Sequence, residues 1–149
     1  MKPILLFATL FITFNAFSQT TTTFIAPVPA GYSQAAVINL GTAKMVIMSG
    51  QVALDKQGNL IGKDDLATQT EQVFRNIKAI VEAAGGTMDN IVKLSYFITD
   101  ASKVKVVRTV RDQFVNIKTP PASTLVEVSR LFRDDLLIEI EATAVIPIK

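Results

Sequence analysis

"DLATQTEQVFRNIKAIVEAAGG", Asp65 to Gly86, is the stretch on which the fold turns. Leu66, Val73, Ile77, Ile80, Val81 and Ala84 recur at helical spacing, so their side chains share one face. Acidic residues stand at its start, where the free N–H groups of a first helical turn favour them, and Gly85-Gly86 stops it. The pattern predicts a helix from about Asp65 to Ala84 with one apolar face to cover.

Upstream, "YSQAAVIN" and "KMVIMSGQVAL" are strand-like and separated by "LGTA", which predicts an antiparallel hairpin; "DKQGNLIGKDD" then supplies turn chemistry. Gly50 interrupts the second strand and marks a bulge or a close backbone approach. Downstream, "IVKLSYFIT" reads as a strand. A second helix is predicted over "ASKVKVVRTVRDQFVNI", with Val104, Val107, Val110 or Arg111, and Phe114 on its inner face, and "TPPA" ends it. Two last strands follow, "STLVEVSRL" and "LLIEIEATAVI", joined by the polar "FRDD". In the last one Ile138, Ile140, Ala142 and Ala144 fall on one face and Leu137, Glu139, Glu141 and Thr143 on the other. The order is strands, helix, strand, helix, strands: an α+β sheet with both helices packed on one face. The opposite face also needs burial, and subunit association supplies it.

With 149 residues the chain suits one compact domain. Hydrophobic residues make up 49% of it, which argues against disorder. It has no Cys and no His, so thiol nucleophiles, Ser-His-Asp relays, disulfides and the usual zinc sites are excluded. Chemistry is left to carboxylates, hydroxyls, Arg, Lys, Tyr, the backbone and water. The opening "MKPILLFATLFITFNAFSQ" carries one Lys, an apolar run from Ile4 to Phe14, and small residues at Ala16 and Ser18. The run is about 11 residues against the roughly 20 that span a bilayer, so residues 1–18 are expected to be a cleaved signal peptide, leaving Gln19 first. That implies a periplasmic or secreted protein. Its removal lowers the formal charge of +2 by the single Lys2, and a nearly neutral domain gives no nucleic-acid footprint. The Thr- and Pro-rich segment 19–31 is expected to be an extended lead-in, with the domain proper over 32–149.

"GYSQA" (Gly31 to Ala35), "SGQ" (Ser49 to Gln51), the "QVFRNIKAIVEAAGG" helix, "PPA" followed by "VEV", and "IEIEATA" together resemble the RidA/YjgF family of small reactive-imine deaminases. The resemblance covers about Phe24 to Ile146, with the motifs in order. It implies a chorismate-mutase-like α+β fold, a homotrimer, and pockets between subunits. It also implies hydrolysis of 2-imino acids to 2-oxo acids and ammonia, with no metal and no cofactor. In that chemistry an Arg just after "PPA" holds the substrate carboxylate while a Glu on the last strand handles water near the imine carbon.

Carried over by motif, the Glu is Glu141, the family's Tyr is Tyr32 and the Gly of "SGQ" is Gly50, whereas the Arg position is occupied by Ser123. The same register puts Arg108 where the family commonly has an Asn on the second helix. The implied pocket is therefore one for a small carboxylate or carbonyl metabolite, with imine hydrolysis weak or lost; a non-catalytic binding or scaffold trimer is the alternative. Each residue also has a structural reading. Glu141 and Glu139 suit a wet sheet face, Tyr32 suits packing between subunits, and Gly50 suits a plain bulge. Ser123 has no base to activate it, which makes it a lining hydroxyl, and Arg108 can pair with Asp112 one turn on. Lys103, Lys105, Arg108, Arg111 and Lys118 alternate with valines and form a solvated face, with no aromatic platform for nucleic acid.

Overall fold

A computed structural model describes residues 21–148. The expected leader over 1–18 lies outside the described residues.

The first helix, α1 (Leu66–Ala83), forms where the periodicity puts it. Asp65 caps it, its carboxylate accepting from the backbone N–H of Ala67 and Thr68. At the other end Gly85, at φ +89°, donates its N–H to Glu82 and Gly86 donates to Val81, a turn that needs a residue without a Cβ penalty. The buried face carries Leu66, Val73, Phe74, Ile77, Ile80 and Val81.

The strands are β1 (Thr22–Val28), β2 (Tyr32–Asn39), β3 (Ala43–Met48), β4 (Gln51–Val52), β5 (Ile91–Ile98), β6 (Ala122–Glu127) and β7 (Ile138–Pro147). They make one mixed sheet in the order β1-β2-β3-β7-β5-β6, with β4 also paired to β7. All pairings are antiparallel except β5 with β6, which are parallel because the second helix, α2 (Val104–Arg111), crosses between them. β1 is an edge strand that begins ahead of Tyr32, within the segment expected to be a lead-in.

Several elements are shorter than the sequence pattern suggests; β6 stops at Glu127, inside "STLVEVSRL". "KMVIMSGQVAL" divides at Ser49-Gly50 into β3 and β4. A Cβ at position 50 would overlap the Glu139 carboxylate where it lies, so a larger residue there would have to push that side chain aside. α2 ends at Arg111, and the chain turns so that Phe114 stacks on Phe74 with ring centroids 5.2 Å apart. A helix rich in β-branched Val has little propensity to continue against that contact.

Both helices cover one sheet face. Val46, Met48, Leu94, Tyr96, Ile98, Ile138, Ile140, Ala142 and Ala144 point into this core, as alternation requires. The other face is open, and Phe24, Ile47 and Val126 are exposed on it.

Candidate functional site

The register of the sheet decides where each candidate side chain points. Leu94 pairs with Ser123 and Ala142, whereas Ser95 pairs with Thr124 and Glu141. Ser123 therefore shares the helix-covered face and Glu141 the open one, because neighbours in register point the same way.

On the helix side α2 does not fully cover the edge strand β6. The slot between them is a cavity of about 550 Å³ lined by Tyr96, Val104, Val107, Arg108, Arg111, Ser123 and Leu125. Arg108 and Ser123 thus meet at one cavity. Arg108 forms no ion pair among the described residues; Asp112 pairs with Arg111 instead, at 2.7 Å. Tyr96 is 3% exposed and its hydroxyl has no hydrogen-bond partner among the described residues. Burial pushes its pKa up to about 12, although the Arg111 charge pulls the other way. At neutral pH it is a protonated donor.

On the open face Glu141 lines a smaller hollow, about 120 Å³, with Ile47, Lys93, Ser95 and Thr143. Tyr32 lines another of about 450 Å³ with Phe24, Pro27, Val28, Gly31, Ser33 and Ala36. Gly50 lies against Glu139, whose half-buried carboxyl is raised above the ordinary range, mainly by burial and secondly by the charge of Glu141. Glu139 therefore holds its proton more firmly than an ordinary carboxylate does. Among the described residues no cluster of acidic side chains is gathered closely enough to hold a metal ion.

One chain thus brings Arg108 and Ser123 together and leaves Glu141, Tyr32 and Gly50 on or near the other face. Sequence reasoning gave no role to Tyr96, and it set Arg111 in a solvated basic face while also allowing it, as the alternative to Val110, on the inner face of the second helix. The signals were available: a Tyr hydroxyl at an inward strand position needs a partner, and Arg111 follows Arg108 by one helical turn.

The Endoribonuclease L-PSP family model matches residues 23–146. A 2-iminobutanoate/2-iminopropanoate deaminase of Salmonella typhimurium is 40% identical over 131 residues, 86% of this chain and 98% of the relative. Among solved structures, RidA from the Antarctic bacterium Psychrobacter sp. superposes with a TM-score of 0.67 at 36% identity, covering 88% of this chain and 100% of that one. TdcF of E. coli with bound serine gives a TM-score of 0.66 at 35% identity, covering 81% and 91%.

Proposed function

The chain belongs to the RidA/YjgF family of Endoribonuclease L-PSP proteins, and on that premise we propose that it is a small-carboxylate-binding homotrimer in which Arg108 takes over the carboxylate contact absent at Ser123. The observation that carries this is the shared cavity: among the described residues Arg108 has no ion-pair partner, and it lies opposite the strand position where the family's Arg belongs. A guanidinium on a long stem reaches farther than the family's amide and presents a planar fork to a carboxylate. The second copy enters for a geometric reason. Glu141 and Tyr32 lie on the open sheet face, so they meet the Arg108 cavity when the open face of a neighbouring subunit closes over the edge between α2 and β6. The apolar Phe24, Ile47 and Val126 on that face give such an association its driving force.

In this reading the ligands are 2-oxo and 2-imino acids. For an imine, water would add its oxygen to C2 while the C=N electron pair moves to nitrogen. The neighbour's Glu141 would carry one proton from the attacking oxygen to nitrogen, then the hydroxyl proton as C2=O forms and ammonia leaves. A carboxylate held from α2 approaches at another angle than one held from β6, and a misplacement of about 1 Å costs roughly 100-fold in rate. Binding survives and turnover is slow. A purely binding trimer is the second reading, favoured by Ser123 in the Arg position. The protein is proposed to act in the periplasm or outside the cell after loss of residues 1–18.

The test has two arms. Calorimetry with 2-oxobutanoate is expected to show binding that Arg108→Ala weakens at least tenfold, the loss of a charge-assisted contact. Equal affinity in parent and variant refutes the relocated contact. Native mass spectrometry of the exported protein is expected to give three copies beginning at Gln19; a monomer, or a chain starting at Met1, refutes the assembly or the maturation respectively.

A further inference from the structure

We propose that the cavity between α2 and β6 is built for a small acid with two carboxylates, a 2-oxo or 2-imino diacid whose second carboxylate is held by Arg111 and the Tyr96 hydroxyl. This rests on the reading of Arg108 as a carboxylate anchor and adds the ligand class.

The cavity holds two guanidiniums, Arg108 and Arg111, and neither Asp nor Glu lines it. Residues three apart on a helix have Cβ atoms about 5–6 Å from each other, and two long stems let their heads address separate groups of one short ligand. They differ in setting. Arg108 is exposed and has no ion-pair partner among the described residues, whereas the Arg111 side chain is only 28% exposed and gives both Nε and Nη2 to a single Asp112 oxygen. Arg111 is therefore held in place, with Nη1 left over for a ligand.

Tyr96 is the independent observation. A phenol only 3% exposed, with no hydrogen-bond partner among the described residues, is costly inside a protein unless something else completes it. It lines this cavity beside Arg111, close enough for the Arg111 charge to act on it, and it remains a donor throughout the neutral range. A donor next to a cation asks for an anion. Val104, Val107 and Leu125 line the space with Arg108 and Arg111, a surface suited to methylene groups, and about 550 Å³ lies within the ordinary size for small-ligand sites. A monocarboxylate of the same length would leave the phenol unpartnered and set a methyl group against Arg111.

Asp112 already draws on the Arg111 charge, so the second carboxylate is expected to add about tenfold in affinity, the low end for a charge-assisted contact. The matched probes are 2-oxoglutarate and 2-oxopentanoate, which share a five-carbon chain and differ only in the terminal carboxylate. Calorimetry on the mature protein is expected to show the diacid about tenfold tighter. Arg111→Gln is expected to remove that preference, while Arg108→Gln weakens both acids. Asp112→Asn, an exposed change that frees Arg111, is expected to raise the preference about threefold. Equal affinities for the two acids, or a preference that survives Arg111→Gln or falls with Asp112→Asn, overturn the diacid site alone. If neither acid binds, the carboxylate reading beneath it fails as well. Inorganic phosphate binding tighter than 2-oxoglutarate overturns the diacid in favour of a phosphate head group.

Discussion

If Arg108 is the carboxylate anchor, Ser123→Arg supplies a second cation on β6 facing it from across the slot, and the two then compete for one cavity. A charge-assisted contact to a carboxylate contributes about 1.5–3 kcal/mol. Against this, two unit charges about 4 Å apart repel by about 1 kcal/mol in water and about 4 kcal/mol at an effective dielectric of about 20. Arg108 is exposed, so the lower figure governs. The single change should therefore tighten 2-oxobutanoate by about 0.5–2 kcal/mol, or roughly 2- to 30-fold. Adding Arg108→Asn removes the repulsion and should gain about fivefold more, although the same substitution in the parent weakens binding. The sign of the Arg108 effect thus reverses with the residue at 123, which is what a double-mutant cycle detects. Calorimetry gives the affinities, and ammonia release from 2-iminobutanoate shows whether turnover follows. If Ser123→Arg binds no tighter than the parent, or Arg108→Asn costs the same in both backgrounds, the two side chains do not serve one ligand group.

Two further outcomes concern the scaffold. Buried Gln69 donates to the carbonyls of Gly62 and Asp135 at 3.1 and 2.8 Å and accepts from the Leu137 N–H at 2.8 Å, tying both loops to α1. Gln69→Met keeps the volume and strands three backbone groups, a loss of about 3 kcal/mol that should lower Tm by about 9 °C; a cost below about 1 kcal/mol would mean that water replaces all three bonds. Glu139 is raised in the folded protein, so the native state binds its proton more tightly than the unfolded chain does. Stability should then fall as pH rises from the ordinary carboxylate range into the raised one. Glu139→Gln should flatten that fall in chemical denaturation between about pH 4 and 7, and parallel curves would contradict the assignment.

The fold was legible because its signals are local. Helical spacing from Leu66 to Ala84, the double glycine after it, and alternation from Ile138 to Ala144 each specify an element and its buried face. Element ends were less legible where a distant contact sets them: α2 stops at Arg111 because Phe114 turns to meet Phe74, forty residues earlier in the chain. The site was partly legible. Arg108 and Ser123 could be paired only through an assumed register, which the shared cavity now supplies in space. That Glu141 faces away from them follows from strand pairing, since Ser95 and not Leu94 sits beside it, and no single segment encodes a pairing. Tyr96 was hidden by its apolar neighbours Leu94 and Ile98: the pattern identifies an inward position but not the unanswered hydroxyl at its tip.

β7, the final strand in the sequence, is also the middle of the sheet, joining β3 and β4 on one side to β5 on the other. A ribosome therefore delivers the keystone after the other six strands of the sheet. Until residues 138–147 emerge, the nascent chain holds two separate ribbons, β1-β2-β3 and β5-β6, and α1 has only fragments of a floor to lie on. The long-range pairing that defines the native state cannot begin before β7 is made, so the two halves of the sheet stay unjoined until then. Termination before residue 138 would leave two ribbons with bare edges, prone to seek pairing in other chains.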